Sequence, residues 1–132
     1  MYKNKKITKP IYIGDIQIGG MSPVSVQSMT KTPTSDVSKT VNQILNLSDN
    51  GCDIVRCGVP DEKSAVALKD IVQNSPIPVV ADIHFHYELA LKAIESGVNG
   101  LRLNPGNIRD KSKITDIVQN ANKKNIPIRI GV

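Results

Sequence analysis

Five aliphatic runs recur along this chain at intervals of ~25 residues, and that rhythm constrains the fold more than any other feature. Their centres fall near Val26, Val55, Val80, Arg102 and Ile128. The strands are expected over 24–29, 53–59, 77–83, 100–104 and 126–131. Between them, apolar residues three and four apart mark helix faces. These are Val37, Val41, Ile44 and Leu45; Ala65, Leu68, Ile71 and Val72; Leu89, Ala93 and Ile94; and Ile114, Ile117, Val118 and Ala121. Asp36 or Ser35 can cap the first helix, Pro60 and Asp61 open the second, and Gly51 and Gly97 close the first and third. Strand–helix alternation predicts a parallel sheet, and near-continuous aliphatic strands predict cover on both faces.

Two architectures accommodate that pattern: a doubly wound open sheet and a (β/α)₈ barrel. The first strand–helix loop lacks G-x-G-x-x-G, which weakens a dinucleotide-binding sheet. Polar residues instead gather where strands end, which is the active rim of a barrel. The expected fold class is α/β, a partial TIM barrel of five strands and four helices. A short hairpin precedes it, with two apolar runs flanking Gly14-Asp15. Residues 1–10 read as a basic tail and 11–132 as the N-terminal part of the barrel. A complete barrel needs ~250 residues. The chain is therefore expected to be part of a longer protein, and the isolated piece to be marginally stable, with open strand edges.

Composition removes several functions. Aromatics are 3% of the chain, so the core must be aliphatic. The net charge is +5, but the lysines are scattered and lack interleaved aromatics, which argues against nucleic acid. Cys52 and Cys57 cannot complete a four-cysteine metal site, and both adjoin an apolar strand where cysteine acts as a small hydrophobe. With no disulfide framework, a reducing, cytoplasmic setting is expected. No stretch reads as a signal peptide or membrane span.

The chemistry centres on Leu101-Arg102-Leu103-Asn104-Pro105-Gly106-Asn107. An arginine interrupts an apolar strand, and alternation puts Asn104 on its face. Ile54-Val55-Arg56 and Ile128-Arg129-Ile130 repeat the pattern. A buried guanidinium is costly unless an anion pairs with it, and its fork suits phosphate oxygens. Arg56, Arg102 and Arg129 are therefore expected around one phosphate or diphosphate. The competing account pairs each arginine with its own carboxylate. Gln27, Ser28, Thr30, Asp82, His84, Asn104 and Asn107 complete the expected rim. Asp82 and His84 share a face and suit proton transfer, ligand orientation or metal binding; otherwise His84 makes a local hydrogen bond and Asp82 pairs with an arginine. Glu62, Glu88 and Glu95 lie on helices and are expected in solvent.

These residues carry a resemblance. Val26-Gln27-Ser28-Met29-Thr30, Asp53-Ile54-Val55-Arg56, Ala81-Asp82-Ile83-His84-Phe85, Leu101–Asn107 and Pro127-Ile128-Arg129-Ile130-Gly131 occur in order. Together they resemble the N-terminal barrel of the 4-hydroxy-3-methylbut-2-enyl diphosphate synthase family, of the methylerythritol phosphate route to isoprenoids. The resemblance implies an oxidoreductase acting on 2-C-methyl-D-erythritol 2,4-cyclodiphosphate by two-electron reductive ring opening. It implies that Arg56, Arg102 and Arg129 hold the diphosphate, with His84 and Asn104 beside it and Asp82 a further candidate. It implies a [4Fe-4S] cluster whose ligands lie in a C-terminal domain outside this chain, a ferredoxin or flavodoxin donor, and a homodimer. The isolated chain is then expected to be inactive. A pterin-binding barrel of the dihydropteroate synthase type and a non-catalytic phosphate-binding half-barrel are the alternatives.

Overall fold

A computed structural model describes residues 6–132; the first five residues of the expected basic tail lie outside the described residues. The hairpin forms as expected, with β1 (Ile11–Ile13) and β2 (Ile16–Ile18) antiparallel about Gly14-Asp15. The main sheet is parallel and runs in chain order: β3 (Gln27–Met29), β4 (Ile54–Gly58), β5 (Val79–Ile83), β6 (Gly100–Leu103) and β7 (Ile128–Ile130). Four helices connect its strands: α1 (Val37–Asp49), α2 (Glu62–Asn74), α3 (Tyr87–Glu95) and α4 (Lys111–Lys123). Each helix packs against the next. Sequential strand order with one row of neighbouring helices is the arrangement of a barrel wall and decides against a doubly wound sheet.

The helix starts are written in the sequence. Asp36, Asp61 and Asp110 accept hydrogen bonds from Lys39 N, Ser64 N and Ser112 N, so each carboxylate answers an otherwise unpaired N–H of the first turn. The core lies between helices and sheet. Val55, Cys57, Val79, Ala81, Ile83, Leu101 and Leu103 face Ile44, Leu68, Ile71, Ala93, Ile94 and Ile117 across it. Each fully buried Leu or Ile there contributes about 1.5–3 kcal/mol of transfer free energy.

Several expectations change. Only one sheet face carries the helices; the other is concave, and the hairpin covers its base. Ile11, Ile13 and Ile18 line a cavity of about 450 Å³ there with Val80, Gly100 and Pro127. The first strand is shorter than expected and is an edge, paired with β4 alone, so Val24 is 90% exposed. Leu45 and Val118, placed inward by periodicity, are exposed on the flanks of α1 and α4. Glu62 is exposed on α2 as expected, and pairs there with Lys92 of α3. Both cysteines are buried and unpaired with each other, as their apolar setting suggests.

Candidate functional site

Register brings the site together. Gly58, Asp82, Arg102 and Arg129 are successive Cα partners across β4, β5, β6 and β7. Arg56 lies two residues before Gly58 and so shares its face. Neighbouring strands are about 4.8 Å apart, which sets the lateral spacing of this row. The residues between them, Val55, Cys57, Ala81, Ile83, Leu101 and Leu103, point the other way into the core. One strand set thus supplies an apolar layer and a charged one.

Asp82 is the hub. Its buried carboxylate lies 3.3 Å from Arg56 Nε through Oδ2 and 3.3 Å from Arg102 Nη1 through Oδ1. His84 Nε2 is 3.6 Å from Oδ2. These contacts are long, since charge-assisted N–H···O bonds ordinarily span about 2.7–2.9 Å. The Arg102 contact has hydrogen-bond geometry. The Arg56 contact does not: Nε is buried, within ion-pair reach of Asp82, and makes no hydrogen bond. Arg56 Nη2 otherwise meets the Met29 thioether at 3.5 Å.

Arg56 and Arg102 converge, and neither has an acid to itself. Two share one carboxylate. The third, Arg129, is the Cα partner of Arg102, lines the cavity beneath the hairpin together with Gln27, is exposed and makes no ion pair among the described residues. Three guanidinium groups against one carboxylate leave two positive charges on this face. The expectation of buried arginines is corrected: the Arg56 and Arg102 side chains are 27% and 21% exposed, because the concave face is open. That openness lets an anion reach them.

The remaining rim residues separate. His84 stands at the end of β5 with its side chain 47% exposed. Asn104 does not simply project beside Arg102. Its Oδ1 accepts from Gly106 N at 2.9 Å and caps the 3₁₀ turn Pro105–Asn107, which carries the chain away from β6. Asn107 Nδ2 donates to His84 O at 3.0 Å and ties the loop after β6 to the loop after β5. Thr30 is buried behind Arg56, its N–H donating to Arg56 O. Gln27 belongs to the other end, lining the cavity beneath the hairpin. Ser28 partners Val55 and so lies on the core-facing side of β3. Sequence reasoning did not single out Gly131, against which the Arg102 guanidinium rests. The only signal for it is a glycine two residues beyond a strand arginine.

Neither cysteine belongs to this site. Cys52 Sγ donates to Ile54 O at 3.0 Å, and burial pushes the Cys57 thiol up from its ordinary range. Among the described residues no group of three or more His, Cys, Asp or Glu side chains converges as metal ligands. No described helix is long and apolar enough to cross a membrane.

Comparison with known proteins supports the barrel fold. The family model of the GcpE TIM-barrel domain matches residues 8–132. A 4-hydroxy-3-methylbut-2-en-1-yl diphosphate synthase (flavodoxin) of Clostridium perfringens is 56% identical over 129 residues, covering 98% of this chain and 37% of the relative. Its namesakes from Persephonella marina and a Sulfurihydrogenibium species are 54% and 53% identical; they are matched over 100% and 98% of this chain, and 37% and 36% of their own lengths. The chain thus spans little more than a third of these relatives. Among solved structures, a 7,8-dihydropteroate synthase from Vibrio fischeri superposes with a TM-score of 0.66 at 11% identity, over 92% of this chain and 48% of that one. A phospho-2-dehydro-3-deoxyheptonate aldolase from Thermotoga maritima gives 0.65 at 16%, over 91% and 36%. At such identities the likeness is one of fold alone.

Proposed function

The chain belongs to the GcpE TIM-barrel domain family, and from that premise we propose that its concave face binds the diphosphate of 2-C-methyl-D-erythritol 2,4-cyclodiphosphate. The observation that carries this is the underpaired guanidinium pair: Arg56 and Arg102 share Asp82 at long range while Arg56 Nε lacks a hydrogen bond. The exposed parts of the two side chains offer further N–H donors to diphosphate oxygens. The ring diphosphate carries two negative charges, matching the two positive charges left on this face.

The protein of which this face is part then takes the cyclic diphosphate to 4-hydroxy-3-methylbut-2-enyl diphosphate. The ring C–O bond opens, two electrons enter from a donor and a proton from solvent, and one hydroxyl oxygen leaves as water. The relatives' names specify flavodoxin, which supports flavodoxin over ferredoxin as that donor. The described residues do not fit a [4Fe-4S] cluster, because the two thiols are buried and engaged with backbone or core. What this chain contributes is grip and orientation: Arg56 and Arg102 clamp the anion over Asp82, Arg129 meets it from β7, and His84 stands where a ring oxygen can reach it. A homodimer, in which a second subunit covers the rim, accords with the exposed His84 and Phe85.

Titration calorimetry with the cyclic diphosphate tests the reading. Saturable binding is expected, displaced by inorganic diphosphate and indifferent to a pterin diphosphate at equal concentration. Preferential displacement by the pterin overturns it in favour of the dihydropteroate-synthase type of site.

A further inference from the structure

We infer that Gly131 is a positioning residue for the anion site: the volume its absent side chain leaves is the seat of the Arg102 guanidinium. The inference rests on the diphosphate reading above and adds a determinant to it. A Cβ built on residue 131 collides with Nη2, Nε and Cζ of Arg102, and those three are its nearest neighbours. Backbone conformation does not call for a glycine at this point. Its φ lies outside the left-handed region, so the backbone accepts any residue. The contrast with Gly58, on the same face, is direct: a Cβ there meets only Met29 Cε at an ordinary 3.7 Å.

Moving the backbone costs more than swinging the arginine tip. Gly131 N donates to Leu103 O at 2.8 Å, which pins residue 131 to the end of β6. A methyl group at 131 must therefore move the guanidinium. The far end of an arginine swings at little energetic cost, so the fold absorbs the change. The site does not, because the displaced guanidinium leaves Asp82 Oδ1 and loses its place between Asp82 and Arg129. Glycine at 131 thus selects one arginine rotamer, the one aimed at the anion.

A double-mutant cycle on the protein tests this, with inorganic diphosphate as the probe in calorimetry and the thermal midpoint read in parallel. Gly131→Ala is expected to weaken diphosphate about tenfold with the midpoint unchanged, and Arg102→Ala to weaken it further, the two losses being non-additive as for any pair in contact. The double variant should bind no worse than Arg102→Ala alone, since no guanidinium remains to be displaced. Wild-type affinity in Gly131→Ala, or losses that simply add, overturns the inference while leaving the diphosphate reading intact. Wild-type affinity in Arg102→Ala sinks the diphosphate reading and this inference with it. If Gly131→Ala loses its fold, the double variant should regain it; failure to do so shows that the collision is not the cause.

Discussion

The two faces of the five-stranded sheet use the same strands for opposite ends. Toward the helices, Val55, Cys57, Val79, Ala81, Ile83, Leu101 and Leu103 form a continuous apolar layer. Toward the concavity, one residue away in each case, stand Arg56, Asp82, Arg102 and Arg129. The first layer gains its energy by leaving water and needs only shape. The second is held by a few long ionic contacts and keeps unmet donors. A period of two lets a strand be structural and functional at once, so damage to one face need not reach the other.

That separation can be broken by experiment. The largest effect is expected from Leu101→Ala: about 2–5 kcal/mol of stability, read from the denaturant midpoint, with diphosphate affinity of the folded protein unchanged. A matching loss of affinity would show that the faces are coupled. Asp82→Asn should cost about 1–3 kcal/mol, because two guanidinium groups lose their common counter-charge. Saturating inorganic diphosphate should close most of the gap in thermal midpoint from wild type, since phosphate oxygens replace the carboxylate; a gap that persists would make Asp82 purely structural. Arg129→Ala, the most exposed of the three, should weaken diphosphate by about 0.5–1.5 kcal/mol with no loss of stability, and added salt should shrink the difference.

The smallest effect belongs to the helix caps. Backbone N–H donation from Ser64 holds Asp61 below the ordinary 3.8, and donation from Lys39 does the same for Asp36. The Ser112 side chain and N–H lower Asp110. A carboxylate lowered on folding contributes its stability at pH values above the ordinary one and loses it as pH falls through the lowered value. A shallow drop in thermal midpoint is thus expected only on the acid side of 3.8. It should flatten when the three caps are replaced together by asparagine, which keeps the acceptor without the charge. An unchanged acid limb would mean that the caps do not set it.

The wall of the barrel was legible because it is encoded locally. Caps at Asp36 and Asp61, stops at Gly51 and Gly97, and the apolar period each need only a few neighbouring residues. The three arginines were legible too, since charge inside an aliphatic strand is anomalous wherever it occurs. Their partnership was not. That Asp82 sits between Arg56 and Arg102 depends on the stagger of β4, β5 and β6, which alternation within a strand does not specify. Val24, Leu45 and Val118 misled for the same reason: periodicity names a face but not whether a neighbour covers its margin. Asn104 took a capping role because the 3₁₀ turn after β6 leaves Gly106 N in need of an acceptor.

The hairpin at the base has a consequence for traffic. Its turn presses Gly14 against Pro78 and Asn99, and its isoleucines stop the lower end of the concavity as a cork stops a flask. An anion drawn to the arginines therefore comes and goes on the side away from the hairpin, where His84 and Phe85 stand exposed.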